Sequence, residues 1–121
     1  MTTALVVEDS VTDMQILTRC LQNGGLSVVT ANSGEEALTK INSHKPDIII
    51  LDVVLPGCSG FEVCREIKDI AATCKIPIVM CSTKSGEMDK FWGMKQGADA
   101  YLAKPVDQDE FVRTVKRLIN R

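Results

Sequence analysis

Pro46-Asp47-Ile48-Ile49-Ile50-Leu51-Asp52 reads as a turn, an unbroken run of branched apolar residues, and a carboxylate. A strand that is apolar at every position is covered on both faces, as in a parallel sheet walled by helices. Three other runs have the same design. Leu5-Val6-Val7 ends on Glu8-Asp9, Ile76-Pro77-Ile78-Val79-Met80 ends near Ser82-Thr83, and Tyr101-Leu102-Ala103 ends on Lys104-Pro105. Open parallel sheets place ligands at the carboxyl ends of their strands. The chemically loaded residues should therefore meet at one edge: three carboxylates, a hydroxyl and an ammonium. That set suits a hard divalent cation and an acyl phosphate.

Outward from this strand the order is β-α, five times. Strand one is expected at about 4–8. Helix one is expected at about 11–23, with Met14, Leu17 and Leu21 at helical spacing, and Gly24-Gly25 stops it. Strand two covers 26–31. Helix two opens on Ser33-Gly34-Glu35-Glu36, a capping box, and carries Ala37, Leu38 and Ile41 inward. Pro56-Gly57-Cys58-Ser59-Gly60 is turn chemistry leading to helix three, about 60–70, with Val63, Ile67 and Ile70 inward. Strand four is expected at 76–81, helix four at 86–96 and strand five at 100–103. Helix five begins at Asp107-Gln108-Asp109-Glu110, a second capping box with acidic residues matching the helix dipole. Phe111, Val115, Leu118 and Ile119 form its buried stripe.

The chain has 121 residues, 45% hydrophobic and 25% charged, which fits one globular domain with no room for a second. A net charge of −2 argues against general affinity for nucleic acid or an anionic membrane. No apolar stretch approaches the roughly 20 residues of a membrane span, and no signal peptide is visible, so a cytoplasmic protein is expected. Cys20, Cys58, Cys64, Cys74 and Cys81 form no CxxC pair, and the lone His44 cannot complete a zinc site with them. They read as small buried hydrophobes. Cys58 is the one to watch, because it falls in a loop close to Asp52.

Asp52 is the candidate nucleophile, since a carboxylate can attack phosphorus and hold the phosphoryl group as a mixed anhydride. Read alone, it can equally cap a turn. Three converging carboxylates repel one another unless a cation shares the space, and Mg²⁺ takes one or two carboxylates while keeping several waters. Glu8-Asp9-Ser10 can also simply cap helix one. Lys104 supplies a countercharge to Asp52 and then to phosphoryl oxygens. Pro105 stiffens the turn after it and admits a cis bond. Ser82 can donate to a phosphoryl oxygen, with Thr83 as its rival. There is no GxxxxGK[ST] or GxGxxG loop for a nucleotide, and no histidine placed for a hydrolase triad.

Val7-Glu8-Asp9-Ser10, Asp52 with Pro56 and Gly60 behind it, Ser82 and Lys104-Pro105 together resemble the response-regulator receiver domain of two-component signalling, the CheY-like family. The resemblance covers essentially the whole chain. It implies an α/β, doubly wound (βα)5 flavodoxin-like sandwich with parallel strand order 2-1-3-4-5. It implies a single receiver domain over 1–121 with no output domain. It implies that Asp52 accepts phosphate from a histidine kinase or a small acyl phosphate. Asp9 and Asp52 are then expected to bind Mg²⁺ directly, Glu8 mainly through water, and Val54 through its backbone carbonyl. Lys104 is expected to contact the phosphoryl group, Ser82 to be the switch hydroxyl and Tyr101 the aromatic partner that turns inward. Glu8 stands where Asp is commoner in the family. Val54 brings no polar side chain to an attacking water, while Lys84 can position or obstruct one.

The segment from Asp89 to Ala98 is similar to that of stand-alone receivers of type IV pilus motility and phototaxis systems. Within it, Phe91 and Trp92 read either as core packing or as a partner surface. The resemblance implies a monomer or weak dimer that catalyses only its own phosphorylation and dephosphorylation. Its output would be contact with a downstream protein, such as motor or pilus machinery, and not with nucleic acid or membrane.

Overall fold

The computed structural model describes residues 2–121. The elements alternate as the apolar runs require: β1 (Thr3–Val7), α1 (Val11–Asn23), β2 (Ser27–Ala31), α2 (Gly34–His44), β3 (Ile48–Leu51), α3 (Gly60–Asp69), β4 (Ile78–Ser82), α4 (Glu87–Lys95), β5 (Ala100–Ala103) and α5 (Gln108–Ile119). All pairings are parallel, in the order β2-β1-β3-β4-β5. The chain reverses direction across the sheet between β1 and β3, which opens a crevice at the carboxyl edge there.

Alternation along each strand splits the core in two. On one face Leu5, Val7, Ile49, Leu51, Ile78 and Met80 pack with Val63 and Ile67 of α3 and Ala37 and Ile41 of α2. On the other Ala4, Val6, Ile48, Ile50, Val79 and Cys81 pack with Leu17 and Leu21 of α1 and Phe111 and Val115 of α5. The all-apolar Ile48–Leu51 run is buried at every position because it contributes to both.

Helix starts follow local chemistry. Ser10, Ser33, Ser59 and Asp107 each accept a hydrogen bond from the backbone N–H three residues on. The box expected at α2 is displaced by one residue, since Glu36 accepts from Asn32 N and not from Ser33 N. Gly60 has a different task. A Cβ there would lie 2.1 Å from the Asp52 carbonyl oxygen, so only glycine lets α3 start against the end of β3.

Two inward expectations fail. Ile70 is half-exposed because α3 ends at Asp69, and Ile70 has extended backbone as the C-cap. Phe91 and Trp92 are also half-exposed, which removes the core-packing reading. Gly93 is instead the residue by which α4 reaches the sheet, packed against the Tyr101 ring and Met80. β4 starts at Ile78, two residues later than expected. Among the described residues no helix is long and apolar enough to cross a membrane.

Candidate phosphoryl and metal site

The sheet edge brings the separated residues together. Glu8 and Asp9 follow β1, Asp52 follows β3, Ser82 ends β4 and Lys104 follows β5. A carboxylate oxygen from each of Glu8, Asp9 and Asp52 lies within 4.8 Å of the others. Glu8 and Asp52 are buried, and Asp9 faces solvent at the mouth. Hydrogen bonds fix the first two. Glu8 Oε2 accepts from Ser10 N at 3.2 Å, and Asp52 Oδ1 accepts from Val54 N at 3.3 Å.

Lys104 closes the pocket. Its Nζ donates to Asp52 Oδ2 at 3.0 Å, to Asp13 Oδ2 at 3.0 Å and to Glu8 Oε1. The Lys104-Pro105 bond that follows is cis. Burial alone would lower the ammonium's proton affinity, but its bonds to Glu8, Asp52 and Asp13 outweigh that and raise it. Lys104 is therefore a fixed positive charge at any physiological pH. Burial pushes the Glu8 carboxyl above its ordinary value, Lys104 and Ser10 N–H oppose this, and Asp52 adds to it. One ammonium among several carboxylates leaves net negative charge. An oxygen-lined pocket of that sign, with Asp9 open to water, fits a hydrated hard cation of the Mg²⁺ type.

Ser82 and Thr83 part company at the end of β4. Ser82 is fully buried, whereas Thr83 points to solvent. Ser82 Oγ accepts from Lys84 N at 3.1 Å, and the Tyr101 hydroxyl donates to the Lys84 carbonyl. Burial, with the charge of Asp89 nearby, pushes the Tyr101 phenol up to about 12, so it remains a donor. Serine, loop and tyrosine thus form one hydrogen-bonded chain from the end of β4 to β5, where the Tyr101 ring packs against Gly93 of α4. The Lys84 ammonium is turned toward Asp89 of α4, 3.7 Å away.

All five cysteines are free. Cys58, in the loop before α3, sets its sulfur against Gly34 at the start of α2, and burial together with Glu62, Glu66 and Glu35 pushes its thiol up. It has none of the electropositive surroundings that activate a thiolate. The buried Cys81 and Cys64 are driven further, to about 12 and about 11.

Sequence reasoning missed Asp13. Three residues after the Ser10 cap, an acid is fully explained by the helix dipole. Its contact with Lys104 spans 91 positions, and no local pattern carries it.

Strand order and connectivity place the molecule in the doubly wound, flavodoxin-like class. Within that class the chain belongs to the response regulator receiver domain family, whose family model matches residues 4–116. It is 38% identical over 115 residues to Protein PilH of Pseudomonas aeruginosa, covering 95% of each chain. It is 40% identical over 117 residues to the alkaline phosphatase synthesis transcriptional regulatory protein PhoP of Bacillus subtilis, covering 97% of this chain and 48% of that one. This chain therefore corresponds to about half of PhoP. Among solved structures, the chemotaxis protein CheY4 of Vibrio cholerae matches with a TM-score of 0.90 and 33% identity, over 98% of both chains.

Proposed function

We propose that this chain is a two-component switch that takes a phosphoryl group on Asp52 and answers by remodelling the face formed by α4, β5 and α5. The observation that carries this reading is Lys104 Nζ, 3.0 Å from Asp52 Oδ2 at the rim of a three-carboxylate pocket. An Asp52 oxygen attacks phosphorus as the P–N bond of a kinase phosphohistidine, or the P–O bond of a small acyl phosphate, breaks. The leaving group keeps the bonding pair, and Asp52 becomes a mixed anhydride that water later hydrolyses. The chain catalyses its own phosphorylation and dephosphorylation and has no other substrate. Asp9, Asp52 and the Val54 carbonyl would hold Mg²⁺ directly, with Glu8 acting through water. When bound, the ion neutralises the phosphoryl oxygens. Lys104 exchanges its contact with Asp52 for one with a phosphoryl oxygen.

Ser82 couples the site to the surface. Its hydroxyl, which accepts from Lys84 N, would turn toward the phosphoryl group to donate its own hydrogen, and that turn would loosen the loop whose carbonyl holds Tyr101. The ring can then turn inward beside Gly93 and shift α4. Moving such an equilibrium from 1:99 to 99:1 takes about 5.5 kcal/mol of differential interaction. Several charge-assisted hydrogen bonds to a group carrying nearly two negative charges can supply much of it.

Met88, Phe91, Trp92 and Met94 give α4 an apolar, exposed surface. Its partner is read as a protein, downstream of a histidine kinase, with this chain acting in the cytoplasm. Likeness to PilH and to a chemotaxis protein supports a place in motility or taxis, with motor or pilus machinery as the target. Beryllofluoride with Mg²⁺, a stable mimic of the acyl phosphate, tests the switch. Backbone-amide shifts should spread from the pocket through residues 83–86 to α4 and β5, and should fail to spread in Ser82→Ala. Shifts confined to the pocket in the unmodified protein would leave the domain a phosphate acceptor without this output.

A further inference from the structure

We propose that Asp13 is a positioning residue for Lys104, drawing the ammonium to the outer side of the pocket so that a divalent cation can enter beside it. The proposal rests on the reading of Glu8, Asp9 and Asp52 as the cation site. An ammonium has three N–H donors, and three carboxylates take all of them. Glu8 and Asp52 belong to the cluster that would hold the cation, whereas Asp13 stands outside it. The burial differs accordingly. The Asp13 side chain is 37% exposed, against 1% for Glu8 and 9% for Asp52.

A cation in the pocket would compete with Lys104 for Glu8 and Asp52 and would repel it. Asp13 is the one acceptor of the three that this competition leaves free. Its backbone is held in the first turn of α1, where Asp13 N donates to Ser10 Oγ at 3.3 Å, so the carboxylate stays aimed at the ammonium. The aliphatic stem of Lys104 also borders open space on that side. A cavity of about 70 Å³ lies between α1 and the turn after β5, lined by Asp13, Ile16, Leu17, Lys104, Pro105 and Val106. Without Asp13, the whole ammonium charge would rest on Glu8 and Asp52, and the cation would have to displace it.

The test is a double-mutant cycle on Mg²⁺ affinity, read from backbone-amide chemical shifts of the metal-titrated protein. The four proteins are the unmodified chain, Asp13→Asn, Lys104→Ala and the double variant. The same spectra report whether each variant is folded. Asp13→Asn should weaken Mg²⁺ binding about fivefold or more when Lys104 is present. With Lys104→Ala, the same substitution should change the affinity by less than about twofold. Equal weakening in both backgrounds would mean that Asp13 acts only through its general field, and would overturn the proposal. So would no weakening with Lys104 present. If the unmodified chain shows no Mg²⁺ response at all, it is the cation site itself that falls, an outcome separate from a failed coupling.

Discussion

Lys104 is the residue on which the charge balance of the pocket turns. Its ammonium is the only cation bonded to Glu8, Asp13 and Asp52 among the described residues, and its side chain is 8% exposed. Removing one partner of a buried charge cluster leaves the others uncompensated. Lys104→Ala should therefore cost about 2–3 kcal/mol in metal-free urea unfolding, and Mg²⁺ should recover part of the loss. Unchanged stability without metal would show that the pocket tolerates its own negative charge.

This residue was legible from sequence because a parallel sheet gathers strand ends, wherever they lie in the chain. Ser82, Asp52, Glu8 and Asp9 were legible for the same reason. The competition between Ser82 and Thr83 was not, since only strand register decides which of two adjacent hydroxyls points inward.

At the scale of elements, two junctions hold the site's scaffold. The first is the start of α3 on the backbone that follows β3. Gly60 N donates to the Val53 carbonyl at 2.8 Å, and a Cβ at Gly60 would overlap the Asp52 carbonyl. Gly60→Ala should destabilise the protein by about 2–3 kcal/mol and disturb the Asp52 and Val54 amide signals, since the clash is with backbone. An unperturbed spectrum would contradict this.

The second junction is Asp99, at the opposite end of the sheet. Its carboxylate accepts from Ile78 N at 2.8 Å, Lys68 Nζ at 3.1 Å and Arg121 at 2.8 Å, and so ties β4, α3 and the end of α5. Burial would raise its proton affinity, but the Ile78 N–H, Arg121 and Lys68 together lower it below the usual 3.8. A carboxyl depressed in the fold contributes stability that is complete above its unfolded value and is lost as pH falls through its folded one. Asp99→Asn should thus be about 1–2 kcal/mol less stable than the unmodified chain at pH 7. The gap should narrow below about pH 4. A gap constant from pH 7 to pH 3 would mean that these ion pairs carry no net stability. Element types and order were plain in the sequence, but this tie was not, because its partners are separated by 21 to 31 positions.

For the molecule as a whole, the large apolar residues divide between core and exposed surface. Phe111 is fully buried between sheet and α5, while Phe91 is 55% exposed on α4. Phe111→Ala should cost about 3–5 kcal/mol, and Phe91→Ala less than about 1 kcal/mol, in urea unfolding. Similar costs would mean that α4 is packed more deeply than its exposure shows. The sequence left Phe91 and Trp92 open between the two because α4 has no clean apolar stripe, and Gly93, with no side chain, makes the close contact with the sheet. Exposed aromatics on a short helix are what the proposed switch requires of the surface it moves.

The proposed switch depends on a phosphoryl group at Asp52, and intact mass spectrometry after incubation with acetyl phosphate tests that most directly. The unmodified chain and Asp52→Asn are compared with and without Mg²⁺. A single phosphoryl adduct that requires both Asp52 and Mg²⁺ is expected. An adduct on Asp52→Asn, or one formed equally well without Mg²⁺, would rule out a metal-dependent phosphoacceptor at Asp52.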